Sequence, residues 1–148
     1  MSRTKDYRIV INVANAQGAN DYTQVVDLKC IDTEQDIYRK ASIWVESLIL
    51  GENAVNNSVI YILSSIPQVR TLDSTNQYNL GNCRILETAI ELGGTCYYNA
   101  YSNSHKVAVP ISSLQSNFNV SISNNAVLAS NTLGVGRYCL VLKVELQE

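Results

Sequence analysis

Lys40-Ala-Ser-Ile-Trp-Val-Glu-Ser-Leu-Ile-Leu50 runs into the polar turn Gly51-Glu-Asn-Ala-Val-Asn-Asn57 and then into Ser58-Val-Ile-Tyr-Ile-Leu-Ser-Ser65. This stretch holds the only tryptophan, Trp44, and the densest run of large apolar side chains in the chain. Read with period two, Ala41, Ile43 and Val45 face one way and Trp44, Leu48 and Leu50 the other. That makes Ala41–Leu50 and Val59–Ser65 two strands joined by an Asn- and Gly-bearing loop. Read with a helical period, Ile37, Ala41, Trp44 and Leu48 form one stripe, with Asp32 or Thr33 as cap and Gly51 as stop. Asp36–Leu50 is therefore a strand or a helix on local grounds. The remainder of the chain has to decide between them.

That remainder alternates. Asp6–Ala14 places Tyr7, Ile9, Ile11 and Val13 on one face, opposed by Arg8 and Asn12. After the turn at 15–21, Tyr22–Ile31 sets Val26, Leu28 and Cys30 against Thr23, Asp27 and Lys29. Residues 66–82, with Pro67 and Gly81, form a long polar connection. Cys83–Leu92 reads as a strand, although Ile85, Ala89 and Leu92 also fit a helical face. Gly93-Gly94 breaks the chain before Thr95–Tyr101. Val107–Ile111 is a short strand that Pro110 places at an edge or an end. Ser112–Ser116 fits one helical turn. Asn117–Ser123 points Phe118, Val120 and Ile122 inward, and Asn124-Asn125 turns into Ala126–Ala129. Arg137–Leu146 closes the chain with Tyr138, Leu140, Leu142, Val144 and Leu146 on one face. Short strands at this spacing describe an all-β fold, and the leading architecture is a single jelly-roll β-sandwich of about eight strands over residues 1–148. In that setting Lys40–Ser65 is read as strands, with Trp44 between the sheets or at their edge.

Composition narrows the function. The chain has 148 residues, the size of one domain, and a net charge of −2. Its cations are scattered, with no run longer than Arg39-Lys40, so nucleic-acid binding by a basic face is disfavoured. Charged residues are only 16%, and nine Tyr stand against one Phe. Low charge and abundant Tyr suit a half-buried β-surface and also the centre of an interface. Met-Ser-Arg-Thr-Lys-Asp-Tyr7 contains no apolar signal segment, and no run approaches the ~20 apolar residues of a membrane span. Cys30, Cys83, Cys96 and Cys139 form no C-x-x-C pair and read as reduced, buried small hydrophobes. The sequons at Asn56 and Asn119 then carry no meaning.

No catalytic or metal constellation emerges. The one histidine, His105, lies in a polar turn, far from the clustered ligands of zinc or cupin sites. Glu34, Asp36, Glu46, Glu52, Glu87 and Glu91 read as solvated charge, and Gly134–Gly136 as a hairpin turn rather than a phosphate loop. Tyr97 and Tyr101 share one strand face, with Tyr98 on the other. If exposed, Tyr97 and Tyr101 would form a stacking platform for a sugar or a protein. No catalytic, cofactor-binding or metal-binding residues are assigned, and no cofactor is expected.

Taken in order, several segments form a pattern. Tyr-Arg-Ile-Val-Ile-Asn-Val (7–13) leads to Asp-Tyr-Thr-Gln-Val-Val-Asp-Leu (21–28), Ala-Ser-Ile-Trp-Val-Glu-Ser-Leu (41–48) and Ser-Val-Ile-Tyr-Ile-Leu-Ser-Ser-Ile-Pro-Gln (58–68). A polar loop with Asn79-Leu80-Gly81 follows. Val-Ala-Val-Pro-Ile (107–111), Asn-Phe-Asn-Val-Ser-Ile (117–122) and Tyr-Cys-Leu-Val-Leu-Lys-Val-Glu-Leu (138–146) complete it. The pattern resembles the small single-jelly-roll minor capsid and penton-like proteins of nucleocytoplasmic large DNA viruses, such as those infecting algae and amoebae. The resemblance covers nearly the whole chain, in pattern and order rather than in one diagnostic motif. It implies a virion structural protein, assembled in the host cytoplasm and packed in a homo- or hetero-oligomer with other capsid proteins. Such proteins act as minor capsid components, penton-like vertices, or cap or fibre heads. They carry no catalytic residues to transfer. The alternative is a carbohydrate- or receptor-binding β-sandwich using Tyr97 and Tyr101.

Overall fold

The computed structural model describes residues 3–17, 19–29, 31–51, 59–69, 83–92, 95–99, 106–125, 132–133 and 136–148. The strands are β1 (Thr4–Ala16), β2 (Thr23–Asp27), β3 (Lys40–Gly51), β4 (Val59–Ser64), β5 (Arg84–Leu92), β6 (Thr95–Asn99), β7 (Val107–Pro110), β8 (Asn117–Ser123) and β9 (Gly136–Gln147). Ala19–Tyr22 and Ile111–Gln115 are short 3-10 turns. Among the described residues no α-helix is present, and no helix is long and apolar enough to cross a membrane.

Two antiparallel sheets form a sandwich. In the first, β9 lies between β1 and β3, and the far edge of β3 is shared by β7 at Lys40–Ile43 and β6 at Ser47–Leu50. In the second the order is β5-β4-β8-β2. Pairing of Glu91 with Cys96 and Leu92 with Thr95 joins β5 to β6 and links the two sheets along one side. The core between them takes Val26 from β2, Ile60 and Ile62 from β4, and Phe118, Val120 and Ile122 from β8. Facing these are Tyr138, Leu140, Leu142, Val144 and Leu146 of β9. Tyr22 stacks on Tyr138 with ring centroids 5.3 Å apart, and the Tyr138 hydroxyl donates to the Asp21 carbonyl at 3.0 Å. A smaller cluster of Leu63, Cys83 and Ile85 with Tyr61 lies apart from this core.

Residues 40–51 are strand, and β3 pairs along its whole length with β9. The local ambiguity is resolved by this pairing along one edge, with β7 at Lys40–Ile43 and β6 at Ser47–Leu50 along the other. Two expectations about its faces are corrected. Val45 opposes Leu142 and Ser47 opposes Val141, leaving Glu46 as an extra residue in a β-bulge. A bulge shifts the side-chain phase by one. Leu48 and Leu50 therefore join Ala41, Ile43 and Val45 in the core instead of opposing them. Trp44 is only 7% exposed but stands apart from that core. It sits across from Lys143 on the outward face, under the Nζ of Lys106 at 4.5 Å and of Lys143 at 5.6 Å from its ring centroid.

The strand expected over Tyr22–Ile31 ends at Asp27, because Tyr22 belongs to a 3-10 turn and the Asp27 carboxylate accepts the Lys29 amide at 2.9 Å. Leu28 and Ile31 still reach the core, from loop backbone. The strand from Thr95 is described to Asn99, while Tyr101 and the segment Ala126–Ala129 lie outside the described residues. Pro110 ends β7 opposite Lys40, consistent with its missing N–H.

Candidate functional site

The outward face of the first sheet carries a set of exposed apolar side chains, and strand register builds it row by row. Asn12 pairs with Cys139, Cys139 with Ile49, and Ile49 with Tyr97. The next row runs Val10, Val141, Ser47, Asn99. Residues directly opposite on one face have Cβ atoms about 5 Å apart, so Ile49, Tyr97, Cys139, Val10 and Val141 make one apolar zone. Val10 is 61%, Ile49 51% and Tyr97 75% exposed. Three large apolar side chains at that exposure thus stand on one outward face.

Beyond the Glu46 bulge the same face becomes charged. The Arg8 Nε donates to both Glu46 carboxylate oxygens, at 2.9 and 3.0 Å, and the Lys143 Nζ lies 3.3 Å from Asp6 Oδ2. These pairs surround the covered Trp44. The bulge thus divides a mainly apolar half, toward Gly51, with Arg137 at its end, from an ion-paired half, toward Lys40.

At the end toward Gly51 a cleft of about 340 Å³ opens between Tyr97, Ile49, Cys139, Asn12, Thr95 and Arg137. Gly51 lines it too, and a Cβ there would stand 3.9 Å from the Arg137 Nε. The cleft offers an aromatic face, an aliphatic floor, an amide, a hydroxyl and a guanidinium. These groups can stack and hydrogen-bond a ligand or a peptide loop, and no carboxylate or histidine stands among the described lining residues.

Tyr98, next in sequence to Tyr97, has a different role. Its hydroxyl donates to Glu87 Oε2 of β5 at 2.9 Å, tying the two strands that link the sheets. Burial and this bond push its pKa up to about 12. The other carboxylates singled out in the sequence are dispersed. Glu34 meets Lys5, Glu46 meets Arg8 and Asp36 is exposed, while Glu52 and the Glu91 side chain lie outside the described residues. Among the described residues no three His, Cys, Asp or Glu side chains gather as a metal site. His105 and Gly134 are also outside the described residues.

The second sheet exposes Val25, Val59, Ile90 and Leu92, with Val59 directly opposite Ile90. Sequence pattern does not distinguish these from core positions, since a strand face of Val, Ile and Tyr reads alike whether it meets another sheet or water. Compared with known proteins, the chain matches no family model, no curated protein and no solved structure.

Proposed function

We propose that the chain is a single jelly-roll domain and a virion structural protein, a minor capsid or penton-like component that works by packing against other capsid proteins. The observation that carries this reading is the nesting of the strand pairs: β1 with β9, β2 with β8, β3 with β7 and β6, and β4 with β5. A long antiparallel hairpin wrapped on itself yields that nesting. The wrap adds the contacts of β9 with β3 and of β8 with β4, and both sets of pairs support the jelly-roll reading. Fold alone does not assign a role. The step to a capsid component rests on the resemblance of the strand sequences to that viral family, together with exposed apolar side chains on the outside of each sheet.

The test replaces Ile49 with Lys and Tyr97 with Glu together, a cross-strand pair of opposite charge, and measures incorporation into gradient-purified particles. Both side chains are exposed, so the double variant is expected to keep its melting temperature within a few degrees yet stay in the soluble fraction, while the wild-type chain copurifies with particles. Equal incorporation of the variant would refute the role of this face. Absence of the wild-type chain from particles would refute the capsid reading.

A second reading is favoured by one observation, the 75% exposure of Tyr97 at the mouth of a cleft with Asn12, Thr95 and Arg137. An aromatic plane beside hydrogen-bonding groups is what a sugar ring requires. Glycan-array binding lost in Tyr97→Ala would support it, and no binding by the wild-type chain would remove it.

A further inference from the structure

The β1 strand is thirteen residues long and contains neither Pro nor Gly. It pairs with β9 on one side; on its other edge no strand lies against it among the described residues. Uncovered edges of this length are templates for strand addition, and proteins usually blunt them with charge, proline or a bulge. Here Lys5, Asp6 and Arg8 protect only the first part, and the register irregularity falls after Val13. Ile9–Ala14 carries no charge. Its inward residues Ile9, Ile11 and Val13, with Tyr7, are only partly buried although they pack on the core.

We infer that two copies of this chain pair antiparallel through their β1 edges, about a two-fold axis at Val10. Register decides both the partner and the axis. Residues opposed across the edge must share a sheet face, so the axis passes through a residue position. With the axis at Val10, Ile9 opposes Ile11 and Tyr7 opposes Val13 on the inner face. On the outer face Val10 meets its own copy, Arg8 meets Asn12, and Asp6 meets Ala14. Every apolar inner residue then faces an apolar one, and no like charges are opposed.

Neighbouring registers fail. An axis at Ile9 sets Lys5 against Val13 and Arg8 against Val10, one at Ile11 sets Tyr7 against Asn15, and one at Arg8 opposes two guanidinium groups. The strand thus complements itself in one register, and a net charge of −2 offers little repulsion between copies. The pairing would extend the first sheet across both copies and cover Val10.

This pairing deepens the packing role by naming one partner, but it is tested on the purified chain alone. Light scattering across a concentration series should show the mass rising from 16.4 kDa toward twice that value. Val10→Lys and Val10→Glu should each weaken association about tenfold by opposing like charges, and mixing the two should restore it. Under mild oxidation Val10→Cys should give a covalent dimer, while Ala14→Cys, which opposes Asp6, and the wild-type chain should not. A wild-type chain that stays at 16.4 kDa throughout, or Val10→Cys that cross-links no better than Ala14→Cys, would overturn the inference. A monomer that still enters particles would do so while leaving the packing role intact.

Discussion

Deleting Glu46 from the middle of β3 should be tolerated, whereas deleting Ser42 from the same strand should not. Glu46 is the bulge residue between Val45, opposite Leu142, and Ser47, opposite Val141. Removing it leaves Val45 in, Ser47 out, Leu48 in, Ile49 out and Leu50 in, which is regular alternation in the existing register. The loss is the Arg8 ion pair, whose side chains are 56% and 29% exposed, and exposed pairs contribute about 0–1 kcal/mol. Ser42 lies in the regular part, opposite Glu145 and Ala108. Its removal carries Lys40 into the position of Ala41, which is 2% exposed. The chain must then bury an ammonium or give up pairing with β7 and the end of β9, at a cost on the order of 3 kcal/mol or more. Urea unfolding followed by far-UV circular dichroism measures both variants. The expected result is a Glu46 deletion within about 1 kcal/mol of wild type, a shift of about 2–4 °C in Tm, and a Ser42 deletion that is largely unfolded or far less stable. Equal, large losses for both deletions would refute the bulge as the element that sets the faces of β3.

Three further outcomes follow from particular contacts. Tyr138 and Tyr98 are pushed up to about 12, chiefly by burial, from an ordinary value near 10. Folding therefore favours their neutral forms, so this stability is full below pH 10 and is lost as pH rises from 10 through 12. Urea midpoints should begin to decline near pH 9, where the unfolded Cys83 thiol ionises and the buried one does not, and fall more steeply above pH 10, and Tyr138→Phe should reduce that steeper fall; a flat midpoint to pH 12 would contradict the assignment. Trp44 should emit as a buried indole, and Lys106→Ala with Lys143→Ala should shift its emission to the red and lower stability by about 1–2 kcal/mol through the lost cation–π contacts and the Asp6 pair; an unshifted spectrum would show that the lysines do not cover the ring. Cys139 is half-buried on the outward face, whereas Cys83 is buried and its thiol is pushed up by burial. A thiol reagent at neutral pH should label Cys139 in the folded chain well before Cys83, and the reverse order would be inconsistent with the faces described.

Much of the fold was legible in strand alternation, because β1 and β9 alternate between a core-facing and an outward side along most of their length, and β8 sends Phe118, Val120 and Ile122 to the core, although its Ser121 and Ser123 are buried as well. The β3 strand was legible only in part. Its apolar residues change parity between Val45 and Leu48, and that change is the trace a bulge leaves in a sequence. Read with an unbroken period, it becomes two opposed apolar faces and places Trp44 between the sheets. The covered state of Trp44 depends on Lys106 and Lys143, which are distant in sequence and announce no pairing with it. The end of β2 depends on Asp27 accepting the Lys29 amide, a local bond that competes with strand pairing. Among the tyrosines, alternation separated Tyr97 from Tyr98, but which of them meets water is decided by Glu87 and by the position of β6 beside Ile49. The nested pair order is a long-range property, with β1 and β9 at opposite ends of the chain, and no local pattern encodes it.

The most direct test of the central claim is quantitative mass spectrometry of gradient-purified virus particles, washed at high salt, from the cells that make this chain. A structural role in the shell requires its peptides at a constant ratio to the principal shell protein through successive washes. Peptides that are absent, or that wash away while the shell stays whole, would contradict it.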